Sequence, residues 1–328
     1  MKYTDCPLFG LKSKKMLKHL LGVKESKFFK QNNVAEMVEP YIDRTGKPRL
    51  IEPPQSELKN VQRILKSSLG KIEVPGNVFS GIKGRSYADN ARIHQSDHLR
   101  YLFKIDLTAF FPSIRRETVY RFFYKDLCCS PDVAEILANL TTIDVQKSNA
   151  RNFQEIQAFL SEKKVNCTNH LISGAPTSQI LSYLVNHDMF DEMQTLADKC
   201  GITMSIYVDD VTFSSENYIS SYFKHAIFSI IQKYDYQVSI KKVKSYSKLY
   251  PKLVTGVIID ASGNLAIKNS LRRKIAVEQE HLYSNPEDGE CRQRLRGLVT
   301  AARQVDRSAY PNIHRFAFSA PHLSTRAK

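Results

Sequence analysis

Three aspartates are placed where they could do chemistry together. Asp209 and Asp210 are adjacent, between the apolar arms Met204-Ser205-Ile206-Tyr207-Val208 and Val211-Thr212-Phe213. An acidic pair in a turn is ordinarily solvated, but arms this apolar are buried on folding and hold the tip rigidly at one end of a sheet. Asp106 closes a second apolar run, Tyr101-Leu102-Phe103-Lys104-Ile105, and precedes Leu107-Thr108-Ala109-Phe110-Phe111-Pro112. If the two strands are neighbours, three carboxylates meet at one edge, which repels itself unless protons or cations intervene. Hard oxygen ligands with open positions suit Mg²⁺, and two such ions stabilise the attacking and leaving oxygens of an in-line phosphoryl transfer. Polymerases and nucleases both use that chemistry.

The elements that position these residues read as an α+β chain. Short basic helices are predicted over 11–21 and 26–38, and a hairpin over 41–52 with its turn at Arg44-Thr45-Gly46-Lys47. Ser56 is a candidate cap for a helix with Leu58, Val61, Ile64, Leu65 and Leu69 on one face. A strand over 101–106 is followed by helices near 116–126 and 131–141, and the pattern assigns no element to 144–170. A long helix is predicted from Pro176 through Leu196, then strands around Asp209-Asp210, a helix over 217–234 and a strand over 253–259. Basic helices follow from 269.

Charge points to a partner. Among 328 residues, 48 are Lys or Arg and 33 are Asp or Glu, a net charge of +15. Residues 1–30 hold eight Lys against two acids, and residues 241–328 hold seventeen basic groups against seven acids. The stretch between is nearly neutral, which suits a body gripped to a polyanion from two sides. With 42% hydrophobic residues the chain can bury a core. It has no run near the eighteen or so apolar residues of a membrane span and no apolar leader, so a cytoplasmic protein without membrane association is expected. Six cysteines without a C-x-x-C pair suggest reduced thiols.

Taken in order, further motifs resemble the reverse transcriptases. Tyr207-Val208-Asp209-Asp210 is similar to their Y-x-D-D box, and Asp106 with Phe110-Phe111 to the aspartate motif before it. Leu171-Ile172-Ser173-Gly174-Ala175-Pro176-Thr177-Ser178 resembles L-P-Q-G-x-P-T-S, with Ile-Ser in place of Pro-Gln. Arg49 to Pro54 with Leu58-Lys59, and Phe79 to Ser86, are similar to the two finger motifs. Asn90-Ala91-x-x-His94 and Val254-Thr255-Gly256 resemble two boxes of the bacterial retron enzymes.

The resemblance implies a right-hand polymerase fold, with fingers over 1–100, a palm over 101–265 carrying helical insertions at about 115–170, and a basic helical thumb over 266–328. It implies catalysis by Asp106, Asp209 and Asp210, with two Mg²⁺ ions held by these and by the Leu107 carbonyl. Nucleotide contacts are expected from Arg49, Lys83, Ser173, Gly174 and Lys242, with Phe110 or Phe111 excluding a ribose 2′-hydroxyl and Phe110 preferred. RNA contacts are expected from Asn90, His94, Val254, Thr255 and Gly256, and from Lys268, Arg272, Arg273, Lys274, Arg292, Arg294 and Arg296 in the thumb. The implied partners are a cognate noncoding RNA as template and primer, its branched DNA product, deoxynucleotides and a separate effector protein of an anti-phage system. An intron-derived or abortive-infection enzyme, and an inactive RNA-binding scaffold, are the other readings.

Overall fold

A computed structural model describes residues 1–23, 26–96 and 98–319. The N-terminal segment forms α1 (Lys14–Leu21), opened by the Ser13 hydroxyl, which accepts from the Met16 amide. The basic stretch over 26–38 is a 3-10 turn (Ser26–Phe29) followed by α2 (Gln31–Glu36). β1 (Tyr41–Asp43) and β2 (Arg49–Ile51) pair as the expected hairpin. In α3 (Ser56–Leu69) the residues Leu58, Val61, Leu65 and Leu69 are buried, whereas Ile64 falls outside the stripe and Gln55 takes the cap position expected of Ser56. α4 (Tyr87–Arg92) opens on a capping box between Ser86 and Asp89.

β3 (Tyr101–Asp106) leads through α5 (Phe110–Ser113) and α6 (Arg116–Arg121), with a π-helical turn at Phe122–Asp126, to α7 (Pro131–Thr141). In the unassigned stretch, β4 (Thr142–Asp144) and β5 (Asn169–Leu171) pair with each other and α8 (Phe153–Glu162) lies between them. The predicted single helix beyond Pro176 is two, α9 (Ser178–Leu184) and α10 (His187–Lys199). The break is at Asn186, whose amide donates to the Ser182 carbonyl and accepts from the Tyr236 hydroxyl.

β6 (Thr203–Tyr207), β7 (Asp210–Ser215), α11 (Ser221–Lys233) and β8 (Lys244–Tyr246) follow. The predicted strand over 253–259 reverses on itself as β9 (Lys252–Val254) and β10 (Val257–Ile259). Thr255 and Gly256 both have positive φ (44° and 91°) and Val254 pairs with Val257, the two-residue turn that suits the twist of a hairpin. β11 (Leu265–Ile267) completes a three-stranded sheet, and α12 (Asn269–Ser284), α13 (Gly289–Val305) and α14 (Pro311–Phe318) end the described chain. Residues 320–328 of the expected thumb lie outside the described residues.

The central sheet runs β6-β7-β3-β8, all antiparallel. Strand alternation gives it two unlike faces. Phe103 and Ile105 oppose Phe213 and Val211, whose neighbours on β6 are Met204 and Ile206, and all six are buried. Phe223 and Phe228 of α11 pack on this apolar face against Phe213 and Phe103. The opposite face carries Lys104, Asp106, Asp210, Thr212, Ser214 and Ser205. Its Leu102 end is covered by a second hydrophobic cluster, in which Ala88 and Ala91 of α4 join Val254, Val257, Ile275, Leu295 and Val299. The Asp106 end of that face stays partly open.

Candidate active site

The register of β3 against β7 sets Asp106 opposite Asp210, and Asp209 occupies the connection to β6. Val208, the other residue of that connection, has φ 59°, a conformation that costs a β-branched residue energy and holds the tip in one shape. The Asp209 carbonyl accepts from the Leu107 amide (2.8 Å), which ties the tip to the end of β3. Asp106 and Asp210 are each about one-seventh exposed. The Lys242 ammonium lies 2.6 Å from Asp106 Oδ1 and the Lys104 ammonium 2.5 Å from Asp210 Oδ2. Lys242 sits in a 3-10 turn (Ile240–Lys242) docked on β3 through the Ser239 amide and the Asp106 carbonyl.

Burial, and then the Asp106 charge, push the Asp209 carboxyl up to about 6. Burial also raises Asp210, against the lowering effect of Lys104. Asp210 Oδ1 is buried with no partner, an acceptor left for something outside the chain. A carboxylate oxygen kept free, and two ammonium groups serving as positive charge on the neighbouring oxygens, fit a site for divalent cations.

Phe110 is 4% exposed and packs against Phe190 and Tyr236, with centroids 6.4 and 5.3 Å away. The preference for Phe110 as sugar gate is therefore corrected: it is a core ring, and Phe111 is the one that remains half-buried.

Ser173 and Gly174 lie in a loop held by Glu52. The Glu52 carboxylate accepts from the Ser173 amide (2.6 Å) and meets His170 Nε2 (2.9 Å), and both side chains are fully buried. The Glu52 amide donates to the Ser173 carbonyl (2.7 Å), and the Ser173 hydroxyl donates to the Leu50 carbonyl. Gly174 has φ 119° against the Glu52 backbone, a position closed to a side chain without strain. Sequence reasoning gave Glu52 and His170 no role, since nothing local signals a pairing across 118 residues.

Arg49 and Lys83 are exposed. Lys83 sits in a loop packed on the start of α9, where a Cβ on Gly81 would approach the Ile180 nitrogen to 3.0 Å. Arg85, also unassigned by sequence, anchors this loop by donating to the Pro75 and Val78 carbonyls.

The two retron-like boxes touch each other. The Asn90 amide donates to the Thr255 hydroxyl (3.2 Å), which donates to the Tyr87 carbonyl (2.9 Å). His94 bridges the Ser214 and Ser205 hydroxyls at 2.8 Å each, and burial pushes it down to about 3, so its ring is neutral. Asn90, His94 and Val254 are buried, so direct RNA contact from them is corrected to a bracing role, and only the Thr255-Gly256 turn reaches the surface.

The thumb arginines divide. Arg292 is buried and donates to the Pro286, Phe316 and Ser319 carbonyls, so it is unavailable to phosphates. Arg294 pairs with Glu278, and Arg296 donates to the Ala317 carbonyl. Arg272, Arg273 and Lys274 are exposed in the first turns of α12, with Lys268 just before it.

Residues 30–272 match the family described as reverse transcriptase (RNA-dependent DNA polymerase), and the chain belongs to that family. It is accordingly an RNA-directed DNA polymerase with an α+β polymerase fold. Within the family the resemblance to retron enzymes is borne out by similar proteins. The chain is 25% identical to the retron Ec73 reverse transcriptase of Escherichia coli over 84% of each chain. It is 28% identical to the retron Mx65 reverse transcriptase of Myxococcus xanthus over 80% of this chain and 60% of that one. Among solved structures it is similar to apo telomerase from Candida tropicalis, truncated from the C-terminal domain, with TM-score 0.46, 12% identity, and coverage of 72% of this chain and 55% of that one. No helix among the described residues is long and apolar enough to cross a membrane.

Proposed function

We propose that the protein copies a cognate structured noncoding RNA into a single-stranded DNA that stays joined to it, primed from the 2′-hydroxyl of a guanosine in that RNA. The system is proposed to be an anti-phage retron with a separate effector protein, in the cytoplasm of a bacterium. The observation that carries the catalytic part is the meeting of Asp106, Asp209 and Asp210 at the open end of one polar sheet face. Asp106, Asp209 and Asp210, with the Leu107 carbonyl, would hold two Mg²⁺ ions, which supply charge stabilisation of an in-line displacement worth several kcal/mol, on the order of a thousandfold in rate. The primer hydroxyl forms a bond to the α-phosphate of a deoxynucleotide, and pyrophosphate leaves.

In this reading Phe111 walls off the sugar, and the Ser173-Gly174 loop, braced by Glu52, lies against the nucleotide with Arg49, Lys83 and Lys242. Residues 1–100 serve as fingers, 101–265 as palm with insertions at about 115–170, and 266–328 as thumb. Lys268, Arg272, Arg273 and Lys274 bind phosphates. Positive side chains in the first turns of a helix repel its dipole in the free protein, and an anion there relieves that.

The test is to sequence the nucleic acid that copurifies from the native locus, for wild type beside Asp209→Asn. A short DNA covalently joined to one small RNA, present in wild type and absent from the variant, is expected. RNA without DNA in both samples overturns polymerisation, and DNA not joined to RNA overturns the priming.

A further inference from the structure

α12 buries only Ile275 and Leu282 among its side chains, little apolar area to hold a sixteen-residue helix in place. Its polar contacts with α13 are concentrated at one point. The fully buried Cys291 thiol donates to the Glu278 carbonyl (3.3 Å) and to the Glu278 carboxylate (3.2 Å). His281 lies one turn beyond Glu278 on the same face of α12. Asp288 caps α13, with Oδ1 accepting from the Cys291 amide (2.9 Å) and Oδ2 3.9 Å from His281 Nδ1. The ligand atoms of Glu278, His281 and Cys291 lie within 4.8 Å of one another, and no other group of three such residues does so among the described residues.

We propose that the α12–α13 hairpin holds a Zn²⁺ ion on Cys291, His281 and Glu278, with Asp288 as the fourth ligand. One sulfur, one imidazole nitrogen and two carboxylate oxygens form a set that a borderline-soft, tetrahedral ion accepts, whereas Mg²⁺ and Ca²⁺ avoid sulfur. Arg294 Nε lies 3.1 and 3.2 Å from the two Glu278 oxygens and orients the carboxylate from outside, as a supporting partner of a metal ligand does. A thiolate and two carboxylates balance the charge of one divalent ion and the Arg294 guanidinium. Uptake converts Cys–SH and Zn²⁺ to a zinc thiolate and releases one proton. The ion would join the middle of α12 to the first turn of α13 across the connection 285–288, fixing the angle of the arm that presents Arg272, Arg273 and Lys274.

The test uses the full chain with its copurified RNA, stripped by chelator and titrated with Co²⁺ or Zn²⁺. With Co²⁺, a sulfur-to-cobalt charge-transfer band and tetrahedral d–d bands are expected in wild type and in Asp209→Asn. Both signals should be lost in Cys291→Ser and in His281→Ala; the second removes an exposed side chain and spares the core if the first fails to fold. Zn²⁺ should raise the Tm of wild type and leave that of His281→Ala unmoved. Absence of the thiolate band in wild type, or its survival in Cys291→Ser, overturns the proposal.

Discussion

Phe110 and Phe111 are adjacent and chemically identical, and the fold separates them. Phe110 fills the space between Phe190 and Tyr236, so Phe110→Ala is expected to cost about 3–5 kcal/mol in urea unfolding. Phe111→Ala should instead lower the preference for deoxynucleotides over ribonucleotides with little loss of stability. An unchanged ratio of the two substrates in primer extension would remove Phe111 from the gate. His94 gives a prediction in pH. Its neutral ring suits two serine hydroxyls as one donor and one acceptor, and burial holds it near 3 instead of its ordinary 6.5. Below 6.5 the unfolded chain takes up the proton that the folded chain refuses. Stability should therefore fall as pH drops from 6.5 towards 3, by about 1.4 kcal/mol per unit from this group. His94→Gln should flatten that slope by one proton, read from unfolding curves at several pH values.

At the scale of elements, the Thr255-Gly256 turn decides how the second cluster starts. Gly256→Ala puts a Cβ at φ 91° and should cost roughly 1–2 kcal/mol, seen as a lower urea midpoint with unchanged slope. How far the sequence could be read depended on the range of the contact. Apolar arms around Asp209-Asp210 and the run before Asp106 are local patterns, so the strands and the ends that carry the carboxylates were legible. The box at 90–94 and the box at 254–256 were visible as motifs, but their contact spans 165 residues and nothing within either names the other. The strands that bound 144–170 escaped assignment because β4 and β5 are three residues each, too short for an alternation to register. The helix beyond Pro176 reads as continuous because its apolar stripe hardly falters at Asn186, where a side-chain amide bonded to Tyr236 on a distant segment supports the break. Counting charges could not reveal that Arg292 is spent on carbonyls.

For the whole molecule, the uneven charge becomes a statement about binding. With Arg292 buried, the exposed cations at the start of α12 are the thumb group proposed to meet a polyanion, with Arg272 keeping its Nε on the Ile267 carbonyl. Replacing Arg272, Arg273 and Lys274 with Gln should weaken RNA binding and reduce the log–log salt slope by about two to three. Replacing Arg292 should lower stability and leave that slope nearly unchanged, and filter binding across a salt series separates the two. The second hydrophobic cluster also bears on exchange between relatives. Its floor is made by Ala88, Ala91 and Leu102 and its walls by residues from Val254 to Ala317, so two stretches of chain far apart in sequence form a single packing unit. A graft cut just before β9 would set foreign walls on a native floor and mismatch Asn90 with the incoming turn. An arm recombined from another enzyme has to bring its own counterpart of residues 86–94 with it. Mutations in that short early helix should accordingly be compensated by mutations some 165 residues later in the chain.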